Sequence, residues 1–214
     1  MAGFSIVNLA DVLKLKNEKD KEAETANGKI LSAISVFSCP LNKDVEYFLR
    51  NNAVTFAEQG IAATYLVFTS YREKQVLIGY FTLANKFLFI PKKNIGSETL
   101  RKRISKFGDY NEDTKGYELS VPLIAQLGKN YQDKYNNLIT GDELLQMACD
   151  KIGQIQIMLS GKLAYVECED NEYLINFYSS HGFRRIADRP VNKFEKSYSE
   201  QDYLVQLIKY IKTN

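Results

Sequence analysis

The stretch Thr140-Gly141-Asp142-Glu143 is where residue types and spacing first predict chemistry. It matches a capping box, in which the Thr140 hydroxyl accepts from the Glu143 amide and the Glu143 carboxylate accepts from the Thr140 amide. A helix beginning here presents N–H groups and the positive end of its dipole, which together bind phosphate or pyrophosphate. In the alternative interpretation, the capping groups satisfy these amides and the two acidic side chains repel an anion. The residues alone leave both interpretations open.

Apolar patterns on both sides of this stretch predict the elements that position it. Val121 to Ala125 is an apolar run typical of a buried strand. After the capping box, apolar residues recur at helical spacing, at Leu144, Leu145, Ala148, Ile152 and Ile155. The sequence therefore predicts a strand, a polar loop and a helix, with the anion site at the helix start.

Length and composition limit the remaining possibilities. With 214 residues, 45% of them apolar, the chain can bury a full core as one domain, or as one domain plus an extension. The net charge of +2 gives no global argument for binding nucleic acid or membrane. Apolar runs are shorter than the roughly 20 residues that span a bilayer, and the first residues lack a signal-peptide pattern. We therefore expect a cytoplasmic protein without membrane contact.

Residues that bind metals are few and scattered. Cys39, Cys149 and Cys168 are odd in number and far apart, which favours reduced thiols over a disulfide framework. His181 is the single histidine, so the sequence predicts no metal site.

Other patterns predict one mixed sheet of α/β or α+β class. Residues 1–30 include the polar, charged segment Lys14 to Gly28, and we interpret them as a partly solvated extension before a domain at 31–214. The further predicted elements are a helix from Asn42 or Asp44 to Gly60, a hairpin at 64–69 and 75–84, a helix from near Ser97, a polar loop at 108–116, a strand at 162–168, a helix at 172–180 ended by Gly182, and an undecided strand or helix at 203–211.

Three motifs resemble the GNAT N-acetyltransferases. Asn171, Phe177-Tyr178 and Gly182-Phe183 are similar to the closing motif of that superfamily. Phe37-Ser38-Cys39-Pro40-Leu41-Asn42 and Ile78-Gly79-Tyr80-Phe81-Thr82-Leu83-Ala84 resemble two signatures of the branch that includes the acetyltransferase toxins of toxin–antitoxin pairs. These motifs cover roughly residues 35–186 in the family's order.

The resemblance implies a GNAT-like domain at 31–214 that binds acetyl coenzyme A between two splayed parallel strands, here 121–127 and 162–168. Main-chain groups at the end of the first strand would bind the pantetheine arm, and the helix start would bind the pyrophosphate. The implied cofactor-binding residues are Leu127, Gly128, Lys129, Ile139, Thr140, Gly141, Asp142 and Asn171. No metal is implied.

The phosphate loop departs from the family pattern of Gln/Arg-x-x-Gly-x-Gly. This chain has Asn136-Asn137-Leu138-Ile139-Thr140-Gly141 and keeps only the last glycine. Isoleucine at the first glycine position disfavours a positive φ and brings a side chain near the phosphates. The alternative is that Leu138 and Ile139 pack the helix end as a hydrophobic staple.

By analogy with the family, Tyr178 is the general acid that protonates the leaving thiolate, or else a helix tyrosine packed on the sheet. Asn171 orients the cofactor or caps its helix. The amide near Leu127 or Gly128 is the expected oxyanion donor.

Acidic side chains near the predicted strand ends, Glu118, Glu167 and Glu169, are more typical of surface residues than of a general base, and His181 is expected in an exposed turn. Without a base, an α-amine with pKa about 7.7–8.0 is the favoured acceptor over a lysine.

The sequence leaves three functions open. The first is N-acetylation of an amine with acetyl coenzyme A. The second is a toxin that acetylates aminoacyl-tRNA, with its phosphates bound by the basic set Lys92, Lys93, Arg101, Lys102, Arg103 and Lys106. For the basic set by itself, a solvated helix face is the default interpretation. The third is a binding protein that kept the fold and lost catalysis. A homodimer is also left open.

Overall fold

The computed structural model describes residues 3–15, 21–192, 195–197 and 201–212. Its strands are β1 (Phe4–Asn8), β2 (Ala63–Tyr71), β3 (Lys74–Pro91), β4 (Asp109–Asn111), β5 (Gly116–Lys129), β6 (Leu163–Cys168), β7 (Arg184–Pro190) and β8 (Tyr203–Tyr210). Its α-helices are α1 (Leu9–Leu15), α2 (Lys21–Ser35), α3 (Lys43–Tyr47), α4 (Ala53–Glu58), α5 (Glu98–Ile104), α6 (Gly141–Leu159) and α7 (Glu172–Ser180). A π-helical turn at Phe48–Asn52 joins α3 to α4, and 3₁₀ turns occupy Lys92–Asn94, Gln132–Leu138 and Glu195–Ser197.

The strands form a mixed sheet with the order β1-β2-β3-β5-β6-β8-β7, and β4 pairs with β5. β5 and β6 are parallel, whereas β1 with β2, β2 with β3, and β8 with both β6 and β7 are antiparallel. This mixed sheet with flanking helices confirms the predicted fold class.

The first of two compact units comprises Met1–Ala84 and Ala125–Ala148. Its core contains Phe37, Leu49, Leu66 and Tyr80, each with no exposed surface. β2 and β3 pair antiparallel across a register shift, in which Val67 faces Gly79 and Phe68 faces Leu77. The extra residue between them is Ile78, so the strand bends at the motif that suggested a family resemblance.

The second unit comprises Asn85–Ile124 and Cys149–Asn214. Its centre is β6, which has β5 on one side and β8 on the other and in which Ala164 and Val166 are fully buried. The parallel ladder between β5 and β6 consists of two residue pairs, Leu123 with Tyr165 and Ile124 with Val166. The ladder between β6 and β8 continues to Cys168 opposite Val205.

Most predicted helix starts and the hairpin are confirmed. Asn42 caps α3 and Ser97 caps α5, each accepting from the amide three residues on. The predicted polar loop at 108–116 is partly wrong, because Asp109–Asn111 pairs with β5 as strand β4. The undecided segment at 203–211 is strand β8.

The N-terminal segment has more structure than its composition indicates. β1 pairs with β2 along its whole length, and Leu9 and Val12 of α1 are buried. The boundary placed at residue 30 falls inside α2. Of the polar segment Lys14 to Gly28, residues 16–20 lie outside the described residues. A separate extension therefore stays a prediction.

Cys39, Cys149 and Cys168 are buried free thiols, as expected for reduced cysteines. Within the described ranges, no helix combines the length and apolar character needed to cross a membrane.

Candidate functional site

The start of α6 has the predicted capping-box geometry. Glu143 Oε2 accepts from the Thr140 amide at 2.8 Å, and the Glu143 amide donates to Thr140 Oγ1 at 3.1 Å. The box therefore occupies the amides of Thr140 and Glu143, while those of Gly141 and Asp142 do not belong to it. An anion at the start of α6 would meet the helix dipole and the main chain of this first turn.

Ile139 fits this helix start without backbone strain. Its φ of −148° and ψ of 144° are extended, so the position does not need the positive φ that favours glycine. Its side chain is only 3% exposed, and Leu144 is also buried. These are the N′ and N4 positions of a hydrophobic staple, in agreement with the alternative packing role.

The capping box should weaken in acid, because protonation removes the negative charge of Glu143. The Thr140 N–H, followed by the Thr140 hydroxyl, holds the pKa of Glu143 below its ordinary value. Its charged form therefore stabilises the fold above the unfolded pKa of about 4.3, and this contribution is lost as pH falls through the lower folded pKa. We predict that Glu143→Ala lowers the free energy of unfolding by about 1 kcal/mol at pH 7 and by much less at pH 3.

Urea unfolding at the two pH values measures this difference. The matched control is Glu58→Ala, at an exposed position at the end of α4. An equal loss at both pH values for Glu143→Ala would contradict the electrostatic part of the cap.

The end of β5 is fixed by close packing at Gly128. A Cβ on Gly128 would overlap the Val45 Cγ1 atom, and a Cβ on Gly79 would lie 2.9 Å from the Gly128 carbonyl oxygen. At both positions neighbouring atoms lie too close to the main chain to leave room for a side chain, which explains the two glycines. The assignment of Leu127 and Gly128 as cofactor and oxyanion residues stays a prediction.

Asn130 follows β5 directly and is 2% exposed. Its Oδ1 accepts from the amides of Ser38 at 3.1 Å and Gln132 at 3.0 Å. Its Nδ2 donates to the Leu77 carbonyl at 2.8 Å, and its own amide donates to the Ile78 carbonyl at 2.8 Å. One buried carboxamide thus joins three segments of the first unit. Sequence reasoning missed it, because a polar residue after a strand has the same pattern as any loop residue.

The segment that carries the Ser-Cys-Pro motif is bonded to the same region. The Tyr131 amide donates to the Ser38 carbonyl at 2.7 Å, and the Gln126 carboxamide donates to Asp44 at 2.9 Å. The buried Tyr80 hydroxyl donates to the Val45 carbonyl at 2.6 Å. The rings of Phe37 and Tyr80 meet edge to face with centroids 5.2 Å apart, so two of the motifs that suggested the family resemblance contact each other within one unit.

Between β5 and α6 the chain follows an irregular path. Asp133 and Lys134 both have positive φ, 49° and 62°. Lys129 Nζ donates to the Asn136 carbonyl at 3.2 Å, which stabilises this segment internally. That contact is structural, and a role for Lys129 in binding a cofactor stays a prediction.

Tyr178 lies on α7 in the second unit and is 8% exposed. Its ring packs edge-on against Phe177 and Phe183, with centroids 5.1 and 5.6 Å away. Burial raises the pKa of Tyr178 above its ordinary value, and the neighbouring thiols of Cys168 and Cys149 act in the same direction. The phenol therefore holds its proton throughout the neutral pH range.

Asn171 caps α7, since its Oδ1 accepts from the amides of Tyr173 at 2.9 Å and Leu174 at 3.4 Å. At the other end, Gly182 has a φ of 83°, which allows the Phe183 amide to donate to the Tyr178 carbonyl at 3.1 Å. The Asn, Tyr and Gly-Phe of the motif thus define the start, the buried face and the end of one helix. A second role for Asn171 toward a cofactor stays a prediction.

Two of the three carboxylates near the strand ends accept hydrogen bonds from other side chains. Glu167 accepts from Arg189 at 2.6 Å and from Gln206 at 2.8 Å, and Glu118 accepts from Asn111 at 2.9 Å. Glu169 is half-buried. His181 is half-buried rather than exposed, and its Nδ1 lies 2.7 Å from the Phe177 carbonyl.

The basic set is divided between the turn at Lys92–Asn94 and the helix α5 with its following turn. Lys92 lies over the Tyr110 ring and Arg103 over the Tyr210 ring, at 5.3 and 4.5 Å from the centroids. Arg101 forms an ion pair with Glu98. Lys102 and Lys106 are exposed. Among the described residues, no group of three or more potential metal-binding His, Cys, Asp or Glu side chains is present.

No protein-family profile and no curated protein sequence matches this chain. Solved structures match along nearly its whole length. "AtaT complexed with acetyl-methionyl-tRNAfMet" has a TM-score of 0.61 at 16% identity and covers 97% of this chain and 95% of that one. A Tyr→Phe mutant of KacT has a TM-score of 0.58 at 16% identity, with coverage of 95% and 94%.

A third structure, "AtaTR bound with AcCoA", has a TM-score of 0.54 at 17% identity and covers 94% of this chain and 92% of that one. At sequence identities this low, the structural similarity shows a common fold and nothing more. The chain therefore has the fold of the AtaT and KacT structures.

Proposed function

We propose that this chain is an N-acetyltransferase that transfers an acetyl group from acetyl coenzyme A to an amine. The observation that carries the proposal is the capped start of α6 after β5, in a fold shared with a structure described as bound to AcCoA. Acetyl coenzyme A supplies a thioester, whose acyl carbon is the electrophile for the amine.

The residues of the first unit fit such a ligand. The amides of Gly141 and Asp142 and the positive end of α6 would hold the pyrophosphate. The extended backbone and buried side chain of Ile139 remove the objection that an isoleucine must distort this loop. Main-chain groups at 127–129 would hold the pantetheine amides as a neighbouring strand would.

Tyr178 would act as the general acid. Its buried phenol keeps the proton on Oη at neutral pH, where it can pass to the sulfur as the C–S bond breaks. The amide of Leu127 or Gly128 would donate to the oxygen that gains negative charge.

Glu118 is hydrogen-bonded to Asn111 and Glu167 is paired with Arg189. Because these carboxylates already have partners, an acceptor amine that needs little help from a base is favoured. An α-amine, with pKa about 7.7–8.0, is partly neutral at physiological pH, whereas a lysine at about 10.4 is almost fully charged. A protein N-terminus or an aminoacyl group is therefore the favoured acceptor class.

Release of the coenzyme A thiol tests this function. The full chain is incubated with acetyl coenzyme A and either peptides with free N-termini or charged tRNA, and new thiol is measured against the chain alone. We expect acceptor-dependent release whose rate Tyr178→Phe lowers by about 10²–10⁴. Binding of acetyl coenzyme A without release for any acceptor would favour the alternative of a binding protein that has lost catalysis.

Aminoacyl-tRNA as the acceptor is the second candidate, since α5 exposes several cations and AtaT has been solved with acetyl-methionyl-tRNAfMet. We predict that the double variant Lys102→Gln/Lys106→Gln binds every tRNA more weakly, whatever its sequence. The slope of the logarithm of the binding constant against the logarithm of the salt concentration should fall by about 1 for each phosphate that the variant no longer binds. Binding at several salt concentrations measures the slope.

The charge-matched control is Lys29→Gln with Lys86→Gln, at two exposed positions outside the basic set. An identical slope for both double variants would exclude these two lysines from the phosphate contacts.

A further inference from the structure

A cavity of about 700 Å³ lies in the first unit, between the turn that joins β2 to β3 and the residues that precede α6. This volume falls within the range of about 300–1,000 Å³ typical of small-molecule sites. Its lining comes from 71–76 and 133–138. Asn137 and Leu138 fall in the phosphate loop described above, and none of the other lining residues belongs to the assigned site.

One wall of the cavity is aromatic and apolar. The rings of Tyr71 and Tyr135 meet edge to face, with centroids 6.1 Å apart and planes at 75°. Val76 and Leu138 are the other apolar residues of the lining, and all four side chains are half-buried. A flat heteroaromatic base stacks on such surfaces, while the Asn137 carboxamide can donate to or accept from its edge.

The rest of the lining is predominantly cationic. Arg72, Lys74 and Lys134 contribute three positive charges, against one negative charge from Asp133. The Arg72 guanidinium lies 5.1 Å from the centroid of the Tyr71 ring, which orients its donors beside the aromatic wall. A guanidinium held in this way matches the geometry of a phosphate.

The backbone on both sides of the cavity is strained. Among the described residues, six that are not glycine have positive φ, and four of these are Arg72, Glu73, Asp133 and Lys134. Each such conformation costs on the order of 1–3 kcal/mol, and strain of this kind clusters at ligand sites. The strain supports a ligand site that the cavity and its charges indicate independently.

We propose that this cavity binds a nucleoside phosphate, with the base on the Tyr71–Tyr135 wall and the phosphate on Arg72, Lys74 and Lys134. Two sources carry this chemistry: the 3′-phosphoadenosine of coenzyme A and the terminal nucleotide of an RNA. The first source rests on the proposed function. It requires the pyrophosphate to lie at the start of α6, where Gly141 is three residues, or about 10 Å of chain, from Leu138.

Calorimetric titration with adenosine 3′,5′-bisphosphate and with the ribotrinucleotide CpCpA tests the site directly. The full chain is compared with Arg72→Gln/Lys74→Gln and with the charge-matched control Lys29→Gln/Lys86→Gln. Arg72 and Lys74 are exposed, so their replacement is compatible with folding, which thermal unfolding checks. We expect the first double variant to bind about tenfold more weakly, since each exposed charge contact contributes about 0.5–1 kcal/mol.

The outcomes distinguish coenzyme A from RNA as the source of the nucleotide. They also distinguish failure of this site from failure of the proposed function. Tighter binding of the bisphosphate than of CpCpA, with weaker binding of coenzyme A to the variant, assigns the site to coenzyme A; the reverse order assigns it to RNA. No heat from either probe at millimolar concentration, or equal affinities for the variant and the wild type, overturns the site even if acetyl coenzyme A binds. Bisphosphate binding without acetyl coenzyme A binding would retain the site and reject the acetyltransferase proposal.

Discussion

Replacing Tyr178 with phenylalanine is expected to lower kcat by about 10²–10⁴, the range that general acid catalysis contributes. The ring keeps its edge-on contacts with Phe177 and Phe183, so the free energy of unfolding should change by less than about 1 kcal/mol. The KM for acetyl coenzyme A should also stay close to that of the wild type, because the hydroxyl would act on the leaving sulfur. Steady-state kinetics and urea unfolding measure these quantities.

Tyr173→Phe is the matched control, since Tyr173 lies on the same helix and is 77% exposed. The pH profile gives a second readout. Because burial raises the pKa of Tyr178, the wild type should lose no activity through this phenol as pH rises through 10, the ordinary pKa of tyrosine. A variant with unchanged kcat would show that Tyr178 only packs α7 on the sheet.

Asn130→Ala is expected to destabilise the protein by about 3 kcal/mol or more. The variant leaves the amides of Ser38 and Gln132 without their acceptor and the Leu77 carbonyl without its donor, all around a residue that is 2% exposed. A buried group that loses its partner costs about 1–3 kcal/mol. The urea midpoint and the affinity for acetyl coenzyme A should both fall, because Asn130 fixes the start of the segment that leads to α6.

The control is Asn85→Ala, which removes one exposed hydrogen bond, to Ser120 Oγ at 2.7 Å, and should cost less than about 0.5 kcal/mol. Equal destabilisation by the two substitutions would contradict the role of Asn130 as the junction of three segments.

Local chemistry made the helix starts predictable. At Asn42, Ser97, Thr140 and Asn171 a short polar side chain accepts from an amide two or three residues later, and neighbours in sequence suffice to form that bond. The hairpin was predictable for a similar reason, because its β-branched and aromatic residues pair across a short turn.

Contacts between residues distant in sequence were not predictable. The bond from Ser38 to Asn130 spans 92 positions, and the one from Gln126 to Asp44 spans 82. The sequence around Ile139 predicted a conflict with a glycine pattern, whereas the observed extended backbone removes it. The cavity beside Tyr71 and Tyr135 arises because two turns with positive φ face each other, and neither turn contains the glycine that marks such positions.

Calorimetric titration of the full chain with acetyl coenzyme A tests the central claim most directly. The proposed function predicts one site per chain that Tyr178→Phe leaves intact and high salt weakens, as expected for phosphates held at the start of α6. Absence of heat at millimolar acetyl coenzyme A would contradict the claim, and the fold shared with the AtaT and KacT structures would then serve another purpose in this protein.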